Sequence, residues 1–332
     1  MATQVRLLKR PGPGSGPEWE ITNDETPALD EGQVRLGPSY ISIDPGMMGW
    51  ISAKKSYMPP INEGDVMRAF GVGEVLESRS ETFPVGSFAT GFTGVQSEAV
   101  LGPEAFLRPV DPDVAPLNHY MSGLGMPGFT GYFGMSDLGR PREGETVVVS
   151  ACAGAVGSIA SQTAKIAGAR VIGIAGGPAK CALLTEEFGL DGAIDYKAGP
   201  IKDSLKELCP KGVDVYFDNV GGDTLDSLLM RMNRHGRIVL CGGISQYGDM
   251  DVVKGPSNYL QIVAQSLSVR GFTMLDYMHR IPEGIDTLAT WVNNGKIIFK
   301  EDILQGIETF PEAFEMIFAG KNFGKLMLQV KE

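Results

Sequence analysis

Beyond Pro141, runs of β-branched and other apolar residues alternate with helical patterns at intervals of roughly 20–25 residues. The runs predict strands at residues 146–150, 170–175, 192–195, 213–217, 237–241 and 268–272. Strands this continuously apolar are typical of a parallel sheet that is covered on both faces. The alternation therefore predicts a doubly wound α/β domain in the second part of the chain.

The first part of the chain has a different pattern. Between Val5 and Pro109, short extended segments are interrupted by Gly and Pro, which is typical of a compact all-β unit. The predicted strands are residues 34–43, 71–78, 87–92 and 97–101. Near Leu117 a longer helical stretch leads into the segment Gly125-Met-Pro-Gly-Phe-Thr-Gly131.

Further helices are predicted at residues 158–167, after Leu288 around Trp291, and at 311–319. In the first of these helices, Ala160 and Ala164 keep one stripe small, so that the helix can lie close to the strands. A last strand at 325–330 no longer follows the βαβ rhythm. We expect this tail to return to the first domain.

Length and charge limit the classes of function. A chain of 332 residues is long enough for two domains. Its net charge of −11, with the acidic residues scattered, disfavours nucleic acid as a partner. No apolar run approaches the roughly 20 residues that span a bilayer, and the N-terminus lacks an apolar signal core. These features predict a cytoplasmic enzyme without a membrane contact.

The cysteines lack the spacing of a metal site. They lie far apart, without a Cys-x-x-Cys pair, and few histidines accompany them. The residues concerned are Cys152, Cys181, Cys209 and Cys241, with His119, His235 and His279. We therefore expect no metal, and we expect each cysteine to pack as a small buried apolar group.

A glycine-containing turn joins the first predicted strand of the second domain to a helix. The segment Thr146-Val-Val-Val-Ser-Ala-Cys-Ala-Gly-Ala-Val-Gly-Ser158 has the form A-x-x-G-x-x-G and departs from G-x-G-x-x-G at its first glycine. Gly154 and Gly157 would let main-chain N–H groups approach a pyrophosphate, which the helix N-terminus also attracts. A purely structural turn is the alternative. Because more strand candidates follow, the pattern favours dinucleotide binding.

The end of the second strand favours NADPH over NADH. An NAD site usually has Asp or Glu here, but this strand runs into Ile174-Ala-Gly-Gly-Pro-Ala-Lys180 without a carboxylate before Glu186. Lys180 would supply a cation for the 2′-phosphate. Lys180 could instead be a solvated residue at a helix start. Tyr196 could close the same pocket or simply pack there.

Several motifs occur in one order along nearly the whole chain. Besides the glycine turn and the segment 125–131, they are Ser42-Ile-Asp-Pro45, Gly49-Trp50, Ser56-Tyr-Met-Pro-Pro60, Phe217-Asp-Asn-Val-Gly-Gly222, Cys241-Gly-Gly-Ile-Ser-Gln-Tyr247 and Gly320-Lys-Asn-Phe-Gly-Lys325. With these motifs the chain resembles the zinc-independent branch of the medium-chain dehydrogenase/reductases, which contains prostaglandin, alkenal double-bond and curcumin reductases.

The resemblance implies both the fold and the assembly. It implies a Rossmann NADP-binding domain, a doubly wound parallel sheet, at residues 123–299. Residues 1–122 with 300–332 would form a GroES-like β-barrel catalytic domain. Members of this branch are commonly homodimers that use NADPH, so a homodimer is expected as well.

The resemblance also assigns coenzyme-binding residues. The pyrophosphate would be held by Gly154, Ala155, Val156 and Gly157, and the 2′-phosphate end by Lys180 and Tyr196. Asn219 and Asn322 would bind the ribose and nicotinamide portions. The residues that flank the nicotinamide would be Cys241, Gly242, Gly243, Ile244, Ser245, Tyr247, Phe272, Thr273 and Met274, which follow sheet strands.

The implied reaction is NADPH-dependent reduction of the carbon–carbon double bond of a small or lipid-like α,β-unsaturated ketone or aldehyde. Tyr247 resembles the family tyrosine near the carbonyl oxygen, where a phenol can orient the substrate and protonate the enolate. Tyr247 could also face the coenzyme without a chemical role. Tyr57, Trp50 and Met126 are candidates for the substrate pocket, and packing roles are the alternative for each.

Two departures from the branch concern the substrate. Relatives commonly read Asp-Pro-Tyr-Met-Arg where this chain has Asp44-Pro-Gly-Met-Met48, without the aromatic ring and the positive charge. Val95 precedes Gln96 where curcumin reductase-like sequences usually have Trp. Both departures affect substrate identity and leave the coenzyme assignment unchanged.

Three other functions are alternatives. A zinc alcohol dehydrogenase needs a thiolate and a histidine that converge on the metal, and no cysteine precedes Cys152. An NADPH-dependent quinone reductase of the same superfamily would share the coenzyme site. A non-catalytic NADPH-binding sensor would also share it, because a fold does not establish catalysis.

Overall fold

The computed structural model describes residues 1–12, 14–54, 56–247 and 253–330. The chain forms two compact units, Met1–Met121 with Glu301–Glu332, and Ser122–Lys300. These limits differ by one residue from the domain limits in the sequence analysis. The predicted domains also include residues that lie outside the described part of the chain, namely Pro13, Lys55, 248–252 and 331–332.

The strands in chain order are β1 (Ala2–Lys9), β2 (Glu18–Asp24), β3 (Val34–Ser42), β4 (Phe70–Ser78), β5 (Phe88–Phe92), β6 (Ala99–Leu101), β7 (Arg108–Val110), β8 (Thr146–Val149), β9 (Arg170–Ala175), β10 (Gly192–Asp195), β11 (Val213–Asp218), β12 (Met232–Leu240), β13 (Ser268–Gly271), β14 (Glu301–Gln305) and β15 (Lys325–Gln329).

The α-helices are α1 (Met47–Ile51), α2 (Met126–Phe133), α3 (Ala155–Ile166), α4 (Pro178–Ala182), α5 (Ile201–Leu208), α6 (Gly222–Leu229), α7 (Leu260–Ala264), α8 (Ile281–Asn293) and α9 (Phe310–Phe318). Helices of the 3₁₀ type occupy Pro103–Ala105, Leu117–Met121, Ile244–Gln246, Met274–Arg280 and Ile307–Thr309. Segments with π-helical bonding occupy Gly134–Gly139 and Leu183–Glu187.

The strands of the first unit pair antiparallel, except that β14 pairs parallel with β15. β1 and β2 form a two-stranded sheet, and a seven-stranded sheet has the order β14-β15-β3-β4-β5-β7, with β6 paired to β3. Strand β15, from the C-terminal tail, pairs antiparallel with β3 so that Met327 lies opposite Ser42. The expected return of the tail to the first part of the chain is therefore confirmed.

A buried ion pair ties β15 to the end of β3. The ammonium group of Lys325, whose side chain is 2% exposed, donates to Ile43 O at 2.6 Å and to Asp44 Oδ1 at 2.7 Å. Burial lowers the pKa of Lys325, while the Asp44 carboxylate acts against this shift. The pair fixes the corner where β3 leads into α1.

The second unit contains a six-stranded parallel sheet in the order β10-β9-β8-β11-β12-β13. This is the doubly wound order, in which the chain starts in the middle and proceeds first to one edge and then to the other. With the β-rich first unit, it confirms the predicted fold class. Strands β9 and β10 have the predicted limits.

Strand β12 differs most from its prediction, because it begins at Met232 rather than at Arg237. The added part contains Asn233, Arg234 and His235. Because these residues are polar, a prediction from apolar runs does not include them in the strand. His235 also has a left-handed backbone conformation, with φ of 63°. The prediction thus found the apolar half of the strand.

Three helix predictions are wrong in position. The helix expected after Leu288 is α8, which begins at Ile281. The stretch near Leu117 forms only the 3₁₀ helix Leu117–Met121, and the α-helix begins at Met126, inside the segment that the stretch was expected to precede. Helix α3 begins at Ala155 rather than at Ser158. Its start is set by the glycine turn, whereas the prediction followed the apolar side chains of the helix.

In the described part of the chain, no helix is both long enough and apolar enough to cross a membrane.

Candidate coenzyme site

The turn between β8 and α3 presents main-chain amides. Gly154 is the N-cap of α3, and it has no side chain that could bond the amides of the first turn. Its carbonyl oxygen accepts from Ser158 N at 3.0 Å, which closes the first helical bond. The amides of Ala155, Val156 and Gly157 therefore lie where a helix N-terminus attracts an anion.

Gly157 is required by the close approach of the helix to the turn. A Cβ atom at this position would lie 2.4 Å from Ala151 O and 2.8 Å from Cys152 Cα, and both are main-chain atoms. At Gly154 the nearest atom would be Ala151 O at 3.2 Å. Ala151 has φ of 47°, a left-handed conformation that favours glycine, so the alanine is strained at this bend.

The end of β9 has a glycine, covered by a tyrosine ring, where an NAD site has its carboxylate. A Cβ atom at Gly176, the residue after β9, would lie 2.8 Å from ring atoms of Tyr196. Tyr196 itself is 49% exposed, and its amide donates to Ala175 O at 3.1 Å. The half-buried Lys180 follows on α4. The phenol ring thus covers the position where the acidic side chain would begin.

Asp195 shapes the same edge, and the sequence analysis missed it. Its Oδ1 accepts from Gly177 N at 2.8 Å and from Lys197 N at 2.9 Å. These amide hydrogen bonds hold the pKa of Asp195 below its usual range, and the bond from Gly177 has the largest effect. The carboxylate therefore fixes the bend at Gly177, which precedes α4.

The ends of β8 and β11 are joined by hydrogen bonds. Ser150 Oγ accepts from Asn219 N at 2.9 Å, and Asn219 Nδ2 donates to Ser150 O at 2.7 Å. Next to them, the fully buried Asp218 accepts a bond from Tyr216 Oη at 2.6 Å. Ser150, Tyr216 and Asp218 were not predicted, although Asp218 belongs to the Phe217-Asp-Asn-Val motif.

The predicted nicotinamide loop, residues 241–247, lies against this junction. Cys241 N and Gly242 N donate to Asp218 O at 2.9 and 3.1 Å, and Ile244 N donates to Asn219 O at 3.1 Å. Ser245 Oγ donates to Val220 O at 2.6 Å. The structure thus brings Asn219 and this loop together at the carboxyl edge of the parallel sheet, where doubly wound folds bind their ligands.

Tyr247 folds back over its own loop. Its Oη accepts from Gly243 N at 3.3 Å, and a Cβ atom at Gly242 would lie 3.4 Å from that oxygen. Burial raises the pKa of Tyr247, and the nearby Cys241 and Asp218 add to the shift. The side chain is therefore a neutral phenol at pH 7, able to donate its proton in a hydrogen bond.

Phe272, Thr273 and Met274 each have a packing or capping role. A Cβ atom at Gly134 would lie 2.6 Å from Phe272 Cζ, so the ring packs on that glycine. Thr273 forms a capping box with Asp276 at the start of the 3₁₀ helix Met274–Arg280, and Met274 is buried. Contact of these residues with a coenzyme stays a prediction.

The other predicted residues are divided between the units. Asn322 lies in the first unit, where its Nδ2 donates to Gly324 O at 2.9 Å. Tyr57 and Trp50 also lie there. Tyr57 is 54% exposed, whereas Trp50 is 5% exposed and packs edge to face on Phe92 at 6.0 Å. Met126 is half-buried at the start of α2 in the second unit.

The cysteines were expected to be buried, which is wrong for two of them. Cys152 and Cys209 are buried, whereas Cys181 and Cys241 are only partly buried. Burial raises the pKa of the Cys152 thiol to about 12, so it stays protonated. Among the residues that the structure describes, no group of three or more His, Cys, Asp or Glu could hold a metal ion.

Comparison with known proteins places the chain in a family. Residues 3–109 match the N-terminal domain of oxidoreductase, and residues 155–290 match the zinc-binding dehydrogenase family. The NADPH-dependent curcumin reductase of Escherichia coli (strain K12) is 38% identical over 330 residues, which are 98% of this chain and 95% of the relative. The chain belongs to the medium-chain dehydrogenase/reductases.

Within the medium-chain dehydrogenase/reductases, the chain belongs to the double-bond reductases. The NADP(+)-dependent 2-alkenal reductase of Nicotiana tabacum is 36% identical over 293 residues, 88% of this chain and 85% of the relative. The crystal structure of CurA from Vibrio vulnificus in complex with NADPH has a TM-score of 0.92 and 37% identity, and the match covers 99% of each chain. The predicted family is thereby confirmed.

Proposed function

We propose that this double-bond reductase uses NADPH to reduce the carbon–carbon double bond of an α,β-unsaturated ketone or aldehyde. The observation that carries the proposal is the carboxyl edge of the parallel sheet. Three features of this edge suit a dinucleotide. They are the uncapped start of α3 for the pyrophosphate, the Tyr196-covered end of β9 for the 2′-phosphate end, and the loop of residues 241–247 for the nicotinamide. The printed activities of the relatives support the same reaction class.

The described residues fit the phosphates of NADPH. The turn at Gly157 is a cradle that a Cβ atom would fill, and the first-turn amides of α3 suit the pyrophosphate. At the end of β9, Tyr196 occupies the place of an acidic side chain, and Lys180 offers a cation to the 2′-phosphate. An NADH site would need a carboxylate where this chain has Gly176.

Bound NADPH would supply a hydride to the β-carbon of the acceptor. The electron pair of the double bond then moves towards the carbonyl oxygen and gives an enolate, which takes a proton at the α-carbon. Tyr247 is a neutral phenol at pH 7, as tyrosine ordinarily is, and burial raises its pKa further. In the proposal its O–H group donates to the carbonyl oxygen and stabilises the growing charge.

Tyr57 suits contact with the acceptor better than Trp50. A Cβ atom at Gly46 would lie 3.2 Å from Tyr57 Oη, so the phenol lies where a side chain at position 46 would begin. More than half of Tyr57 is exposed, whereas Trp50 is buried among the aromatic and aliphatic residues of the first unit. We include Tyr57, Met126 and Asn322 among the proposed ligand contacts. Trp50 would act by packing behind the contact surface.

The absence of a catalytic metal is part of the proposal. A zinc dehydrogenase holds its metal with cysteine thiolates and histidine. In this chain all four cysteines belong to the second unit, and burial raises the pKa of Cys152 and Cys241 to about 12. The first unit therefore has no cysteine that could ligate a zinc ion.

A homodimer is also proposed, and strand β13 supports it. This strand is the last of the parallel sheet as described, its four residues are exposed, and it pairs with β12. On the preceding helix α7, Leu260 and Val263 are 63% and 75% exposed. An edge strand beside exposed apolar side chains can pair with the same strand of a second copy.

The reaction is tested with the purified protein, NADPH and a panel of enones, alkenals and quinones. We expect NADPH oxidation with enones or alkenals, and a product in which the double bond is reduced and the carbonyl group is kept. Turnover of quinones alone would make the chain a quinone reductase. Coenzyme binding without turnover of any acceptor would indicate a sensor, and either result contradicts the proposal.

The variant Lys180→Ala tests the 2′-phosphate site. We expect the Kd for NADPH to rise about tenfold or more, because a charge-assisted contact is lost, and the Kd for NADH to change less than about twofold. Calorimetric titration of both coenzymes measures the two effects. The control is Lys202→Ala, which removes an exposed lysine of α5 from the same unit. Equal weakening of both coenzymes in Lys180→Ala rejects the assignment.

The variant Tyr247→Phe tests the proposed donor. Since loss of one donor to a developing oxyanion costs about 10²-fold or more, we expect turnover to fall at least about tenfold, with the Kd for NADPH within about threefold of the original. Steady-state kinetics and calorimetry separate these effects. Tyr259→Phe is the matched control, because it alters an exposed tyrosine of the same unit. Unchanged turnover in Tyr247→Phe removes this residue from the mechanism.

The assembly is tested by sedimentation velocity. A homodimer gives about twice the chain mass of 35.5 kDa. The variant Val269→Lys places a charge in β13 and is expected to yield monomers, since a charged edge strand resists pairing. A single-chain mass for the unmodified protein would contradict the proposal, and a dimer that survives the substitution would place the interface elsewhere.

A further inference from the structure

A buried carboxylate that has no ion-pair partner in the described part of the chain lies at the carboxyl end of the central strand β11. The side chain of Asp218 is fully buried. Its Oδ1 accepts four hydrogen bonds, from Tyr216 Oη at 2.6 Å, Val220 N and Gly221 N at 2.9 Å, and Ser150 Oγ at 3.2 Å. Its Oδ2 has no hydrogen-bond partner among the described residues.

These contacts suit the ionised form of Asp218. All the groups that meet Oδ1 are donors, and a carboxylate is an acceptor only. None of the ion pairs that the structure describes includes Asp218. Within the described residues, the negative charge is therefore stabilised by the neutral donors to Oδ1 and has no ion-pair partner.

The field of this charge reaches the loop of residues 241–247. Asp218 O accepts from Cys241 N and Gly242 N, which places the loop next to the strand end. Burial is the main cause of the raised pKa of Cys241, about 12, and of Tyr247, and the Asp218 charge adds to both shifts. Charges in a protein interior are screened much less than in water.

The two redox forms of the coenzyme differ in charge at the ring that this loop is proposed to flank. The nicotinamide ring is cationic in NADP+ and neutral in NADPH, whereas the phosphates are common to both forms. We infer that the buried Asp218 carboxylate stabilises the cationic ring through space and so shifts the bound coenzyme towards its oxidised form. The inference rests on the proposed function, since it requires the ring to lie at this loop.

The Asp218 charge would favour hydride transfer from the coenzyme to the acceptor. When the ring gives up a hydride with its electron pair to the β-carbon of the acceptor, the ring becomes cationic and the acceptor becomes an enolate. A fixed negative charge beside the ring favours this direction of transfer. Asp218 would thus act on the ring without touching it, and its hydrogen bonds would keep the charge in place.

The experiment compares the Kd values of NADP+ and NADPH for the intact protein and for Asp218→Asn, by calorimetry at one pH and salt concentration. The substitution keeps the shape and an acceptor oxygen, and removes the charge. We expect the ratio of the Kd for NADP+ to that for NADPH to rise about threefold or more. Damage to the phosphate sites would alter both constants together and leave the ratio unchanged.

Two further variants separate charge from structure. Tyr216→Phe removes one donor from Oδ1 and keeps the carboxylate, so the ratio should stay within about 1.5-fold of the original value. Asp218→Thr is also neutral and suits a strand end, so it should raise the ratio as Asp218→Asn does. It serves as the test if the asparagine variant does not fold.

The results have separate meanings. An unchanged ratio in the neutral variants, or an equal rise in Tyr216→Phe, overturns the inference while coenzyme binding still supports the proposed function. If the unmodified protein binds neither NADP+ nor NADPH, the proposed function fails and the inference fails with it.

Discussion

The approach of helix α3 to the main chain of the preceding turn is the constraint on which the rest of the site depends. A Cβ atom at Gly157 would lie 2.4 Å from Ala151 O, so a side chain there would push the helix away from β8. Overlap with main-chain atoms cannot be relieved by rotating a side chain. Because the helix lies this close, its first-turn amides reach the edge of the sheet, and the strained Ala151 is tolerated at the bend.

Two carboxylates organise the loops along that edge. Asp195 holds the bend at Gly177 after β9, and Asp218 holds the amides of Val220 and Gly221 after β11. An ionised acceptor makes stronger hydrogen bonds to amides than a neutral one, so each loop is fixed by its strand. The two carboxylates differ in exposure, because Asp218 is fully buried whereas Asp195 is only partly buried. Only the former can exert a weakly screened field.

Features with strong local signals could be predicted from the sequence. Strands β9 and β10 have their predicted limits because they are short apolar runs between turn residues, and the glycine turn precedes a helix as expected. The start of β12 was missed because its first half is polar. Helix α2 was misplaced because a proline can end a helical pattern, whereas Pro127 lies in the first turn of this helix. Local signals thus identify an element more reliably than its ends.

The hydrogen-bonded junction could not be predicted, since it is formed by tertiary structure. Ser150, Tyr216 and Asp218 come from the ends of two strands that are far apart in sequence, and no spacing rule connects them. The sequence analysis offered Tyr196 as a residue of the pocket at the end of β9, but the packing of its ring on Gly176 is formed by tertiary structure as well. The predicted contacts of Asn219, Asn322 and Tyr247 with a coenzyme stay predictions, although the junction and the loop of residues 241–247 give two of them a common location.

Hydrogen exchange of the main-chain amides tests most directly whether this edge binds NADPH. With saturating NADPH, the amides of residues 154–158, 176–180 and 219–221 should exchange more slowly, because the phosphates and riboses would cover them. Strand β2 in the first unit, far from the turn in sequence, should exchange at the same rate with and without the coenzyme. Unaltered exchange at residues 154–158, in a sample that binds NADPH by calorimetry, would contradict the proposed site.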